Sequence, residues 1–463
     1  MSAARPEPTA PPRRLPAVSR LRSLLDSRHL GGDAAQVFRA HSRSLGETFL
    51  FRFGGFKRAI VSSDPAVLEH VLKTNHANYH KSEFQTARIQ HFLGPGLLIL
   101  HGQPWQRQRR LIHHGAFRPA KVASVASAMH ECLDESLARF DGEIRRGPVD
   151  IYPEMMRMTF RMVSRLVFSA SLPDEDIDRI SGAISTIQEF MVRQIVHPYL
   201  NPWFAVSGAL RRHERMRDRC NQIVLDLIRR RRRHPGRSDD LLQVLMDAVS
   251  DETGEPMSDE AILHECMHLL VAGHETSSNA LCWTLYLLST HPEHVERVRA
   301  EYERVAGDSV LQYADLAQLP VTTQVVEESL RLYPPFWMVD RVAVADDHVM
   351  GVRIPKGTIV VAFIYGAHRS PRLWEDPDRF VPERFSPERK AAQPPFSYLP
   401  FGGGPRGCVG GNFAMLQMLM IVGRLLRRYD FELAPGQDVS PRSMVFLRPS
   451  HGIRMRVVKR PER

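Results

Sequence analysis

The sequence predicts a mainly α protein with small β-sheets at one edge. Apolar residues recur at helical spacing through most of the chain, while β-type runs gather in only two places. A single helical pattern also runs from Asp259 to Thr290, at ~1.5 Å per residue a rod of roughly 45–50 Å. Its second half is apolar on most faces, so it must pass through the protein interior.

The first twenty residues, rich in Pro and Arg, hold neither the apolar stretch of a signal peptide nor that of a membrane anchor. They are expected to form a disordered tail, 1–20, ahead of one domain, 21–463, undivided by a Gly/Ser linker or internal repeat. Residues 49–53, Gly54-Gly55 and residues 59–62 read as a hairpin; a second β-rich region covers 341–345 and 359–364, joined by a turn-forming GVRIPKGT. Helical patterning covers 105–112, 122–143, 174–193, 214–233, Asp259–Thr290, 293–305, 322–332 and 412–428. Ser258 is a good N-cap for the long helix and His291-Pro292 a stop. Five consecutive arginines, 229–233, close an apolar helical face and read as a solvated helix end favoured by the helix dipole.

The formal net charge of +10 points to an acidic partner or surface. No nucleic-acid motif accompanies it, so a nucleic-acid ligand is not expected. The five cysteines are scattered and form no CxxC pair. That argues against a disulfide framework or a zinc ribbon and fits a reducing cytoplasm.

Two motifs compete on the long helix. His264-Glu265-Cys266-Met267-His268 matches the HExxH pattern of zinc peptidases, with two imidazoles on one face. The longer zinc pattern needs a glycine where Val271 stands, and in a continuous helix His274 lies ~9 Å beyond His268 along the axis. A peptidase is therefore the distant alternative. The next segment, Ala272-Gly273-His274-Glu275-Thr276, sets a glycine beside an acid and a hydroxyl in a core helix. It reads either as a groove over a flat cofactor, with Thr276 and Glu275 managing protons, or as a simple kink opened by Thr276 bonding back.

The most informative stretch is Phe401-Gly402-Gly403-Gly404-Pro405-Arg406-Gly407-Cys408-Val409-Gly410. Its glycines permit unusual backbone angles, and a helix begins just after it. Both features are expected to lower the Cys408 thiol pKa and favour a reactive or metal-bound thiolate. A phosphate-binding loop is the alternative, but GxxxxGK[ST] is absent.

This stretch resembles the FxxGxRxCxG haem-binding loop of cytochrome P450 enzymes at every fixed position. Ala272 to Thr276 resembles the family's oxygen-activating helix motif, Glu328-Ser329-Leu330-Arg331 its ExxR, Pro382-Glu383-Arg384-Phe385 its PERF, and Trp105 with Arg109 its WxxxR. All lie in the family's order. The resemblance implies the triangular-prism P450 fold with its long central helix over the haem. It also implies haem b with Cys408 as axial iron ligand, dioxygen as co-substrate, and monooxygenation as the reaction. Phe401 would shield the sulfur, Gly410 would let the following helix approach the porphyrin, and Gly273 would help form the groove. Trp105, Arg109, Arg406 and Arg341 would hold the propionates. Glu328, Arg331 and Arg384 would form a buried network that steadies the cysteine loop.

Family topology places Phe84, Leu97, Leu98, Ala272, Trp337, Met338, Val339 and Phe446 around a hydrophobic substrate. Fatty acid, terpenoid, steroid and polyketide remain open, with overall similarity to fatty-acid hydroxylase branches favouring the first. The span after Cys408 leaves no room for a reductase domain, so electrons are expected from a ferredoxin or flavodoxin with its reductase. Arg107, Arg110, Arg424, Arg427 and Arg428 are the candidate docking face. A haem-thiolate enzyme that couples, desaturates or isomerises is the second reading. His113 and His114 are read as structural residues, not as a second axial pair.

Overall fold

The computed structural model describes residues 14–169, 172–234, 238–249, 254–307 and 309–461, without the side chains of Phe84 and Gln85. It is mostly helical, with four small sheets among the described residues. Of the expected tail, residues 1–13 lie outside the described part. The rest is already structured: Val18 is buried and its N–H bonds to the Leu50 carbonyl, and a helix starts at Arg20 with Ser19 as its cap. A buried apolar side chain and a β-bridge at Ala17 hold these residues against strand Thr48–Phe53.

The described chain divides into two compact units, each assembled from separated segments. The first comprises the chain up to Glu83, Trp337–Pro377 and Gln393–Gly407. Its five-stranded sheet has the order Thr48–Phe53, Lys57–Ser62, Ile359–Ala362, Val339–Ala343, Tyr79–His80. The expected hairpin forms its edge, and Lys57–Ser62 pairs in parallel with Ile359–Ala362. The link between the second pair of strands is more than a turn: Asp347–Val349 and Val352–Ile354 form a hairpin of their own. Val349, Val352 and Ile354 are buried, so core packing recruits this segment into strands. Aromatic rings fill another part of the unit, where Phe38 meets Phe51, Phe363 and Trp337 at centroid distances of 5.3, 5.7 and 6.2 Å.

The second unit comprises Phe84–Phe336, Asp378–Ala392 and Cys408–Arg463. Its axis is the helix Asp259–Thr290, with the Ser258 hydroxyl accepting from the Ala261 N–H at 3.2 Å. Helix Pro292–Val305 follows directly, with Pro292 in the first turn, where its missing N–H costs nothing. The expected helix 122–143 is instead two, Pro119–Ser124 and Ala126–Glu143; the Ser124 hydroxyl donates to the Lys121 carbonyl beside the break.

Helix Ile151–Phe168 escapes the periodicity reading. Its less buried positions, Pro153, Arg157, Arg161 and Arg165, recur every fourth residue on one face, but Pro153 in its first turn disguises the start. Asp150 caps it by accepting from the Tyr152 N–H at 3.0 Å. This helix packs closely on the long one: the Thr159 hydroxyl donates to the His274 carbonyl at 3.0 Å, and a Cβ on Gly273 would meet Val163 Cγ2 at 2.9 Å.

The arginine run is only partly a solvated end. Arg231 pairs with buried Asp240 at 2.8 Å and donates to the Phe168 carbonyl, and Arg232 pairs with Asp259 at 2.6 Å. Arg229, Arg230 and Arg233 remain exposed. No helix among the described residues is long and apolar enough to cross a membrane.

Candidate active site

The long helix is buried without interruption from Glu265 to Leu285 except at Ala272, Gly273 and Thr276. Ala272 and Thr276 are one turn apart on the same face, so they open a narrow strip on an otherwise enclosed rod. The Thr276 hydroxyl donates back to the Ala272 carbonyl at 2.8 Å. Gly273 has a packing reason of its own. Its missing side chain makes room for Val163, so close approach of two helices requires the glycine.

Glu275 points away from the strip and is 1% exposed. Burial pushes its carboxyl up to about 7, against the pull of Arg448 and a hydrogen bond from Gln188. One of its oxygens, Oε2, has no hydrogen-bond partner. Arg448 is itself paired with Glu189. Burial likewise drives the Tyr152 hydroxyl, close to Glu275, far above its usual range. His274, with Nδ1 at 2.5 Å from the Leu270 carbonyl, is held down to about 4 by burial and stays neutral.

Cys408 alone of the five cysteines is exposed, yet the protein packed around it governs the thiol. The expected thiolate-favouring contacts exist, namely a backbone hydrogen bond from Gly410 and the charge of Arg109. Burial outweighs both, and the thiol lies above its ordinary pKa. A Cβ on Gly410 would meet the Phe117 ring at 3.1 Å, so a side chain of this protein already fills that space.

Trp105 is buried on helix Gly102–Ile112, and the Arg109 guanidinium lies 5.7 Å from its ring centroid, confirming their shared face. Burial lowers the Arg109 pKa, partly offset by Cys408. His113 and His114 are exposed on the turn that follows. In the first unit, Phe401 and Arg406 are half-buried, and a Cβ on Gly404, at φ +66°, would overlap the Leu72 backbone oxygen. Arg341 there is a buried cation on strand Val339–Ala343, bonded to the Asp340 carbonyl at 2.7 Å.

Glu328 and Arg331 are both completely buried. Arg331 Nε and one terminal nitrogen donate to the two carboxylate oxygens at 2.6 and 2.8 Å. Arg384 Nε reaches Glu328 Oε1 at 3.4 Å, and the Val381 N–H donates to the same oxygen at 2.9 Å. Arg331 also donates to the Arg379 carbonyl at 3.1 Å. The network thus fastens the segment from Arg379 to Arg384 onto helix Pro320–Leu332.

Among expected pocket residues, Leu97, Leu98, Ala272 and Phe446 lie in the second unit, with Phe446 edge-on to Phe336 at 4.9 Å. The Phe84 side chain is outside the described residues. Met338 and Val339 are half-buried, and Val339 packs on the core of the first unit. Trp337 departs from expectation: at 4% exposure it belongs to the aromatic core around Phe38 and Phe363, since its large apolar surface is best removed from water there. The proposed docking face also shrinks. Arg424, Arg427 and Arg428 are paired with Asp134, Glu303 and Asp141, which cancels much of their attraction for a partner.

The HExxH residues form no zinc site. The Leu98 N–H donates to His268 Nδ1 at 3.2 Å, and His268 Nε2 faces the Gly94 carbonyl at 3.1 Å, so both ring nitrogens are occupied. Glu265 accepts from the Leu97 N–H at 3.1 Å, and burial raises its carboxyl to about 7. No cluster of three metal-ligating side chains exists among the described residues.

Glu328→Ala leaves Arg331 and Arg384 without their shared anion in a dry environment. We expect a loss of about 3–5 kcal/mol, read as a lower urea midpoint together with purified protein depleted of bound haem. Normal haem content in a folded variant would contradict the assignment.

Comparison with known proteins agrees with this geometry. The family model described as Cytochrome P450 matches residues 11–457. The chain is 33% identical to "Cyclooctatin synthase" of Streptomyces melanosporofaciens over 77% of each chain. It is 30% identical to "Pentalenene oxygenase" of Streptomyces avermitilis, over 87% of this chain and 88% of that one. It is also 30% identical to "Ultra-long-chain fatty acid omega-hydroxylase" of Homo sapiens, over 87% and 80%. The solved cytochrome P450DA heme domain superposes with a TM-score of 0.85 at 24% identity, covering 98% of this chain and 99% of that one. With a matching loop around an exposed cysteine, a partly open strip on a buried helix and a family match along nearly all its length, the chain belongs to the cytochrome P450 family of haem-thiolate monooxygenases.

Proposed function

We propose that this enzyme places one oxygen atom of dioxygen into a C–H bond of a neutral, hydrocarbon-rich substrate lying along Ala272 and Thr276. The observation that carries the reading is the strip on the long helix, the one stretch between Glu265 and Leu285 that is not sealed by packing. The residues of the second unit fit a flat, dianionic haem. Cys408 is exposed where it could meet the iron, and Trp105 and Arg109 share a face as propionate donors. Arg341 and Arg406 are the further donors the family pattern assigns, and Phe401 the shield for the sulfur. Haem, once bound, supplies the redox-active iron at which dioxygen is reduced and activated.

The chain's own residues then control protons and position. Thr276 commits its hydroxyl hydrogen to the Ala272 carbonyl, which leaves its oxygen lone pairs available on the open strip. It is suited to hold a proton-carrying water or group at that point. Glu275, with a carboxyl at about 7 and one unpartnered oxygen, is half-protonated near neutrality and can gain or release a proton at Oε2. Its neighbours Gln188 and Arg448 hold it off the strip, so delivery to Thr276 requires the carboxyl to swing.

The substrate class follows from the lining and from relatives. Leu97, Leu98, Ala272 and Phe446 offer no charge, and Arg448, two residues beyond Phe446, is already paired with Glu189. This apolar lining favours a neutral compound over a fatty acid. Two relatives are named for oxygenating pentalenene and cyclooctat-9-en-7-ol. Electrons are proposed to come from an acidic ferredoxin or flavodoxin, attracted by the net charge of +10. The reducing cytoplasm is the compartment we propose for it.

Turnover of pentalenene and dodecanoic acid under isotopically labelled dioxygen tests the reading. One labelled atom should appear in product from the neutral probe, which should be preferred; coupled or desaturated product without label would favour the second haem-thiolate chemistry.

Thr276→Ala should keep haem and substrate binding while product per electron pair falls by about tenfold or more, the balance appearing as hydrogen peroxide. Unchanged coupling would remove Thr276 from proton control.

Glu275 sets a pH dependence of definite sign. Its folded pKa of about 7 exceeds the ordinary 4.5, so folding favours its protonated form. This contribution to stability is complete below the unfolded value and is lost as pH rises through about 7. Glu275→Gln should therefore lose less stability between pH 5 and 8, roughly the span of this titration, as read from urea midpoints. It should also flatten the decline in coupling with rising pH.

A further inference from the structure

The HExxH sequence is left without a role by the reaction just described, and its side chains are too deeply buried to be incidental. Glu265 is 3% exposed and His268 1%. Both bond to backbone groups of one short segment, Gly94 to Leu98. Because Leu98 contributes an N–H, which can only donate, His268 Nδ1 must be the acceptor. The ring hydrogen then sits on Nε2 and is donated to the Gly94 carbonyl. His268 is therefore a neutral, doubly committed ring that bridges the two ends of the segment. The ring also lies where a side chain on Gly96 would be, with Nδ1 2.7 Å from that Cβ position. The segment closes on itself as well, the Ile99 and Leu100 N–H groups both bonding to the Gly96 carbonyl.

Position along the helix gives this clamp its meaning. Glu265, His268, Ala272 and Thr276 follow one another at spacings of three, four and four, which keeps them on one stripe. His268 precedes Ala272 by one turn, about 6 Å along the axis, and Thr276 by about 12 Å. The clamp thus seats Leu97 and Leu98 on the same stripe that opens at Ala272, one turn before it. Leu97 is buried and Leu98 half-open, like Ala272.

We propose that Glu265 and His268 are positioning residues for substrate selection, fixing Leu97 and Leu98 as the wall that faces the open strip. This rests on the reading of Leu97, Leu98 and Ala272 as substrate-lining residues. The pair touches neither the haem nor the substrate. It acts through the two leucine amides, and the shape of the site changes when those amides are released. An apolar replacement takes away the partner of the Leu97 N–H at Glu265, or those of the Leu98 N–H and the Gly94 carbonyl at His268, and lets the segment drift, whereas Glu265→Gln keeps an acceptor oxygen for the Leu97 N–H.

The test uses haem-loaded full-length enzyme and ligands that do not require turnover. Imidazole and 4-phenylimidazole both coordinate haem iron, but only the second fills the space beside it. Their affinity ratio, followed in the Soret band, reads the wall. Amide hydrogen exchange at Leu97 and Leu98 reads the clamp directly. We expect His268→Ala and Glu265→Leu to lose roughly tenfold of the preference for 4-phenylimidazole and to exchange these amides at least about tenfold faster. Glu265→Gln should retain both wild-type values. Wild-type ratios in His268→Ala would overturn the proposal, as would unchanged exchange in both apolar variants. Should His268→Ala not fold, the contrast between Glu265→Leu and Glu265→Gln decides alone, equal behaviour of the two counting against the clamp. A wild-type protein lacking the red-shifted Soret band of a thiolate–carbon monoxide complex would instead defeat the haem-thiolate site, whatever the clamp does.

Discussion

A helix of 32 residues buried on almost every face must satisfy each of its polar side chains inside the protein. That constraint organises the second unit. His268 and Glu265 meet it by bonding to the Gly94–Leu98 backbone, Ser278 by bonding back to the Glu275 carbonyl, and Asn279 in part, through its amide nitrogen alone. Thr276 meets it by bonding to Ala272. Glu275 meets it incompletely: one of its oxygens has no partner, and burial raises its carboxyl.

The same competition between burial and compensation decides the state of each charged group. Around Cys408, desolvation outweighs an amide and a guanidinium, so the thiol lies above its ordinary range. Around Glu328, two arginines and a backbone amide converge, and a fully buried carboxylate is accommodated by geometry on both its oxygens.

Net charge proves a poor guide to where a partner binds. The sequence carries +10, yet several of its most suggestive arginines are tied to carboxylates of the same chain. What attracts an acidic redox protein is the field left after that pairing, and linear clustering does not reveal it.

Sequence alone determined whatever depends on local spacing or on a dense, unusual run of residues. The ends of the long helix follow from Ser258 and Pro292, the hairpin from Gly54-Gly55, and the cysteine loop and the Glu328–Arg331 pair from short motifs whose partners lie within a few residues. Long-range packing was out of its reach. Gly273 answers to Val163, more than a hundred residues away. Trp337 belongs to an aromatic core, and HExxH serves a loop instead of zinc. Spacing along a chain says which side chains share a face, but only the folded structure says what stands opposite that face, and burial against that neighbour decides between ligand, clamp and core.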